Sequence, residues 1–303
     1  MINSITITNP LGQSVEMVLR NPELSGFLIK RIDGLGPNPA TINATELASK
    51  DGALYNSARV LSRNIVFSLQ MLDTPTKSAE ELRHDTYTYF PIKKRIDILI
   101  EADHRTCRTY GYVESNSLDI FSKAVTTYIS VMCPDAYFYA NTQTLTLFSG
   151  VDSQFEFPFS NESLTVKAIE FGIIEVDEEK SIIYTGDANV VILIYIHAIG
   201  SVEGVTIHNA LTSESMTIDT DKLETLTGDV IIAGDDIIIS TIKGEKFIYL
   251  LRAGNYVNIL SCLDVDSDWF ELTPGDNVFV YAAEVGASYL QFQVIHSTLY
   301  EGV

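Results

Sequence analysis

Ile65-Val66-Phe67-Ser68-Leu69-Gln70-Met71-Leu72 sets Ile65, Phe67, Leu69 and Met71 in alternation with Val66, Ser68, Gln70 and Leu72. Side chains leave a strand on opposite faces with a period of two, so this stretch reads as a strand with one buried stripe. Ile96, Ile98 and Ile100 repeat the pattern against Arg95, Asp97, Leu99 and Glu101, and Val125, Thr127, Ile129, Val131 and Cys133 repeat it again. Their β-branched content suits a pleated, half-buried surface. Sheet is therefore the default, and the chain is expected to be mainly β.

One segment departs from that period. Ser78-Ala79-Glu80-Glu81 has capping-box spacing, Leu82, Tyr87 and Phe90 follow, and Pro91 ends the run. A helix is predicted at about 76–89, with its Leu/Tyr/Phe side on the first-half sheet. Between Gly34 and Ala53 periodicity is weak, and Pro37, Pro39, Asp51 and Gly52 suggest a long loop with room for one short strand. Long ordered loops usually carry function, here contacts with partners.

From Ala140 onward only strands and turns are predicted. Phe155–Phe159, Val190–Ile196, Val205–Ile207, Ser215–Ile218, Asp229–Ala233, Ile237–Ser240, Phe247–Leu251 and Val278–Tyr281 are separated by turn signals such as Gly186-Asp187, Gly234-Asp235 and Pro274-Gly275-Asp276. Many short, closely spaced strands argue for a sandwich. The boundary is expected near Tyr139–Thr144, giving a domain at 1–140 and another at 141–303.

The chain has 303 residues, 46% of them hydrophobic, with 15 Tyr and 14 Phe. That suffices for two cores and argues against disorder. Val190–Ile196, the longest apolar run, falls far short of the ~20 residues a membrane-crossing helix needs. The net charge of −20 is unevenly placed: residues 1–140 carry 14 basic and 15 acidic side chains, and residues 141–303 carry 6 and 25. The halves stand at −1 and −19, which disfavours phosphate binding by the second. The first residues lack the basic and apolar regions of a secretory signal, so a cytosolic origin is expected and the sequons at Asn43 and Asn161 carry no meaning.

No chemistry stands out. Cys107, Cys133 and Cys262 are too widely spaced for a zinc site or a disulfide framework and read as small buried hydrophobes. Asp264-Val265-Asp266-Ser267-Asp268 resembles a calcium loop, but Trp269 and Gly275 stand where an EF-hand needs Gly and Glu, so a solvated loop is expected. Gly234-Asp235-Asp236 is attributed to chance. The histidines at 84, 104, 197, 208 and 296 form no ligand pair, and His197 reads as a satisfied core or rim residue. No GxSxG, GxxxxGK[ST] or GxGxxG motif occurs. Trp269 could serve a sugar-binding face, although core packing is the expected role. No catalytic, cofactor-binding or metal residue is assigned, and no cofactor is expected.

Several patterns, in order, resemble the siphophage distal tail protein family. They are Asp51-Gly52-Ala53 with Tyr55; Arg63-Asn64; Glu81, Arg83, Tyr87 and Phe90; Gly111-Tyr112-Val113-Glu114; and Ile129 to Tyr139, with Cys133-Pro134-Asp135-Ala136-Tyr137-Phe138 the most specific piece. In the second half, Phe155–Phe159, Tyr184–Asp187, Ser267–Asn277 and the closing Tyr300-Glu301-Gly302-Val303 are similar to that family. Ala136 stands where the family often has Pro, relaxing a turn, and Thr86 where it often has Leu, costing a core contact.

The resemblance implies a β-rich, ring-forming amino-terminal domain with one helix and a galectin-like β-sandwich, commonly without a working sugar site. It implies a structural virion protein rather than an enzyme, at the tail tip of a phage. A homo-hexamer would join the tail tube protein to the tail-associated hub and scaffold receptor-binding or other baseplate proteins. No membrane and no sequence-specific nucleic acid would be bound, the genome passing through the channel. The near-neutral first half can pack on copies of itself through a heterologous interface, while six second halves at −19 each should sit apart at large radius. Residues 41–72 are expected to form much of the inter-subunit contact. A carbohydrate-binding adhesin and a cell-wall-degrading enzyme are the rival classes.

Overall fold

The computed structural model describes residues 1–47, 51–119, 124–152, 173–176 and 179–303. They form two compact units, Met1–Thr142 with Leu299–Val303, and Gln143–Thr298. The last five residues thus pack with the first unit, unlike the simple split at 140.

The first unit comprises β1 (Ile2–Thr8), β2 (Ser14–Val18), β3 (Phe27–Asp33), β4 (Ala40–Glu46), β5 (Ala53–Val60), β6 (Arg63–Met71), α1 (Ala79–Tyr89), β7 (Arg95–Ala102), β8 (Thr106–Asp119), β9 (Thr126–Cys133) and the start of β10 (Phe138–Leu147). The order β2-β1-β7-β8 forms one antiparallel set and β3-β6-β9-β8 another. Long β8 belongs to both: Thr106–Tyr112 pairs with β7, Tyr112–Asp119 with β9, and a bulge between Val113 and Ser115 bends it. At Gly111 a Cβ would lie 2.6 Å from Val131 Cγ1 and 2.8 Å from Cys133 Sγ, so a side chain there would force this corner open. The stripes read from sequence, Ile65-Phe67-Leu69 and Ile96-Ile98-Ile100, fill the core with Ile129 and Val131. Burying each such side chain contributes about 1.5–3 kcal/mol.

Helix α1 begins three residues later than predicted because Ser78 is itself the N-cap. Its Oγ accepts from Glu81 N at 3.3 Å, and Glu81 Oε2 accepts from Ser78 N at 2.8 Å. Leu82 and Phe90 are buried, with the Phe90 ring 5.8 Å from Phe67, but Tyr87 is 45% exposed. Thr86 is buried in its stead. Its hydroxyl donates to Arg83 O at 2.7 Å and accepts from Asn116 Nδ2 at 3.1 Å, so the position is filled by hydrogen bonds and not by a lost apolar contact.

The second unit contains β11 (Ser149–Asp152), β12 (Ile173–Val176), β13 (Glu179–Tyr184), β14 (Val190–Ala198), β15 (Val205–Asn209), β16 (Glu214–Ile218), α2 (Thr220–Thr227), β17 (Asp236–Ser240), β18 (Phe247–Arg252), β19 (Asn255–Asn258), β20 (Glu271–Leu272), β21 (Gly275–Ala282) and most of β22 (Leu290–Tyr300). The sheets β19-β18-β17-β14-β22 and β13-β21-β15-β16 are antiparallel. Aromatic rings join their inner faces: Tyr281 stacks on Phe292 at 5.3 Å, Phe148 meets Phe292 edge-on at 4.9 Å, and Tyr184 meets His296 at 5.4 Å. This is a sandwich.

Two readings of the second half require correction. Helix α2 was not predicted, since eight residues are too few to display an apolar period. Asp219 caps it by accepting from Lys222 N at 3.1 Å, and Gly228, at φ 90°, ends it. Asp229–Ala233, expected as a strand, is irregular and makes a single bridge, Ile231 to Val202. The predicted strand Phe155–Phe159 lies outside the described residues.

His296 is 4% exposed and neither ring nitrogen has a hydrogen-bond partner among the described residues. Burial pushes its pKa below the ordinary 6.5, so the folded unit holds it neutral. As pH falls through about 6.5 the unfolded chain takes up this proton before the folded one does. The stability held above that pH is expected to decline as pH drops toward the depressed value, and His296→Leu should flatten the decline in denaturant midpoints measured between about pH 7.5 and 5.

Candidate assembly surface

Strands β4 and β5 pair only with each other, from Ala40 opposite Val60 to Glu46 opposite Ala53, with a register shift at Asn43 and Ala44. The expected loop is thus largely an antiparallel hairpin. Alternation could not announce it because neither face is buried: every residue of β4 is exposed, and all of β5 but Val60. Cross-strand bonds from Asn43 Nδ2 to Ser57 Oγ (3.1 Å) and from Asn56 Nδ2 to Thr45 Oγ1 (2.7 Å) help hold it. Ile42 and Tyr55 are 64% and 63% exposed, and Leu54 is exposed too. A two-stranded ribbon with no packed face is marginal in water, so such an arm is suited to gaining a partner. Residues 40–60 hold two acidic and two basic side chains, so charge does not oppose close approach.

Arg63 fixes the root of this arm. It is 1% exposed, and its guanidinium makes five hydrogen bonds to four backbone carbonyls. Nη1 donates to Gly34 O (2.5 Å) and Gly36 O (2.6 Å), Nε and Nη2 donate to Ala136 O (3.0 and 2.8 Å), and Nη2 donates to Glu301 O (2.7 Å). The cation lies 4.2 Å from the centroid of the Phe138 ring. Gly34–Gly36 leads into the hairpin and Arg63 follows it, so one side chain ties both legs. At Gly34, φ is 87° and a Cβ would fall 2.1 Å from Asn64 O, so glycine is required. Asn38 Nδ2 adds a bond to Leu61 O across the base, at 2.9 Å.

The other sequence motifs prove structural. Asp235 is buried and accepts from Arg252 Nη2 at 2.6 Å, from Arg252 Nε at 2.9 Å and from Ile232 N at 2.9 Å. Asp236 instead meets His197 Nδ1 at 2.6 Å. The two carboxylates serve different partners, so Gly234-Asp235-Asp236 acts as a structural turn. The acidic loop runs beside β16, where Asp268 N donates to Ser215 O (2.7 Å) and Thr217 N to Ser267 Oγ (3.1 Å). Among the described residues no three His, Cys, Asp or Glu side chains gather as a metal site would require. The three cysteines are buried, as expected, and burial pushes the Cys133 thiol up to about 11. Trp269 stays out of the core. Phe270 fills that place, and Lys246 Nζ lies 4.8 Å over the indole ring.

These features define a β-rich two-unit protein with a projecting, near-neutral hairpin. No family model and no curated protein matches the chain by sequence. Among solved structures it is similar to the Dit protein of phage SPP1, described as a paradigm of the hub adsorption apparatus in phages infecting Gram-positive bacteria. The TM-score is 0.64 at 12% identity, over 97% of this chain and 98% of that one. Chains of the phage P2 baseplate in its activated conformation also align, with calcium at TM-score 0.44 and 11% identity (97% and 98% covered), and with strontium at 0.42 and 12% (96% and 97%). The chain has the fold of a phage distal tail protein.

Arg63→Met keeps length but removes the donor that four backbone carbonyls share. It is expected to cost the first unit about 3–5 kcal/mol in a urea titration. Arg59→Met, on the exposed hairpin, should change stability by no more than about 0.5 kcal/mol; equal effects would show that the guanidinium is not the root of the arm.

Proposed function

We propose that this chain is a structural virion protein of a long-tailed bacteriophage, a distal tail protein whose six copies form a ring at the tail tip. The Dit-like fold spanning 97% of the chain carries this reading. Residues 1–140 build the ring, joining the tail tube protein on one side to the tail-associated hub on the other. Residues 141–303, a galectin-like sandwich, offer a platform for receptor-binding or other baseplate proteins. The protein is made in the host bacterial cytoplasm, performs no catalysis, and lets DNA pass without reading its sequence.

The hairpin supports the ring assignment. A cyclic assembly uses a heterologous contact, in which one face of each copy meets a different face of the next. An arm with Ile42, Leu54 and Tyr55 in solvent gains burial when a neighbouring copy covers it, and its balanced charge allows that approach. Copies of the acidic half repel one another and are relieved only beyond a Debye length of ~8 Å. A sugar stacked on Trp269 is not favoured, because Lys246 already occupies that ring face.

Electron micrographs of the purified chain are expected to show six-fold rings. A variant lacking residues 41–56 should behave as a monomer in light scattering while keeping the β signature in circular dichroism. A ring that survives the deletion would remove the hairpin from the interface, and absence of rings from the full chain would count against the assembly itself.

A further inference from the structure

A strand at the edge of a sheet presents a row of unpaired N–H and C=O groups, a template on which another chain can add a strand. β16 stands at such an edge, in the sheet β13-β21-β15-β16. Its Ser215-Met216-Thr217-Ile218 stretch has no charge and no proline, and β-branched Thr and Ile favour pairing. Met216 and Ile218 are buried opposite Ile207 and Val205, so one long side of the strand is fixed on β15. The other side is where a further strand would add.

That side is already answered by one segment of the same chain. Successive residues of a strand turn their backbone polar groups to alternate neighbours, so Ser215, Thr217 and Asp219 face the open side. Ser215 O accepts from Asp268 N at 2.7 Å and Thr217 O from Asp264 N at 2.9 Å. Ser215 N donates to Asp268 Oδ2 at 3.4 Å and Thr217 N to Ser267 Oγ at 3.1 Å. Asp219 N donates to Cys262 O at 2.8 Å, and Ile218 bridges Leu263. Residues 262–268 thus fill the row without forming a strand themselves, side-chain oxygens serving where the backbone turns away.

Charge adds a second barrier. The segment carries Asp264, Asp266 and Asp268, and Glu214 and Asp219 lie at the two ends of β16. One cation, Lys222, answers Asp219 at 2.9 Å. Paired strands lie about 4.8 Å apart, where like charges set opposite one another destabilise the pair. An identical segment is the strand best able to stack in register, and a second copy of this edge would bring the same carboxylates with it. Hydrogen bonds therefore close the edge to any strand, and charge turns away a copy of this one.

We propose that residues 262–268 are a strap that closes the β16 edge and prevents a second copy of the chain from adding its own β16 there. The alternating aspartates of the acidic loop then serve the strand beside them. The assignment uses the second unit alone and is independent of the ring reading.

Hydrogen exchange on the full-length chain tests the closure. The amides of Ser215 and Thr217 are expected to be protected although they lie on an edge strand. Ser267→Ala combined with Asp268→Ala removes both side-chain acceptors, and exchange at these two amides should rise about fivefold or more while Met216 stays slow. Light scattering of that variant should show species larger than those of the parent, growing with concentration. Adding Thr217→Pro, which removes an outward N–H at an edge position, should abolish them. Unprotected Ser215 and Thr217 amides in the parent would overturn the proposal. So would a double variant whose amides open while its size stays that of the parent, or larger species that survive Thr217→Pro and so arise on another surface.

Discussion

A guanidinium buried among carbonyl oxygens holds the first unit in its shape. Arg63 places all five of its N–H donors on backbone acceptors from three distant parts of the sequence, at 34–36, 136 and 301. A buried cation is tolerated only when its hydrogen-bonding capacity is filled, so these segments must arrive together or the charge is stranded. Arginine alone suits the task, since lysine has three donors on a point charge and no planar fork. The cage links the entrance and exit of the hairpin to the turn that leads into β10 and to the last residues of the chain.

The direction of the hairpin follows from that anchor. Its own strands bury no face, so local packing cannot aim it; the clamp at Gly34, Gly36 and Arg63 does. An arm tied at its root and carrying Ile42, Leu54 and Tyr55 in solvent is suited to delivering surface to a neighbour. The charge distribution agrees, because the half bearing the arm stands at −1 and the other at −19. Self-association is electrostatically open to the first and resisted by the second.

Three stretches that lie far apart in the sequence meet at this one contact. Arg63-Asn64, Cys133 to Phe138 and Tyr300 to Val303 were each recognisable as family-like patterns, and each contributes to the cage. The departure at Ala136 is harmless to it, since the acceptor is a backbone carbonyl that any residue supplies. Much of the core was legible as well, because a face buried against a partner sheet imposes a period of two. The hairpin lacked such a face, α2 was too short to show a helical period, and the unpartnered imidazole of His296 leaves no trace in composition. Trp269 was misplaced because strand-like alternation there gives the inward position to Phe270.

By itself the sequence determined the mainly β class, the capped helix α1, the buried cysteines and the split of charge between the halves. Each follows from short-range pattern or from counting, which need no knowledge of what folds against what. Tertiary structure alone decided that residue 301 completes a cage opened at residue 34, that adjacent Asp235 and Asp236 serve separate partners, and that residues 262–268 close the edge of β16. These depend on strand register and on chain segments up to 238 residues apart in hydrogen-bond contact, information that a linear pattern does not carry.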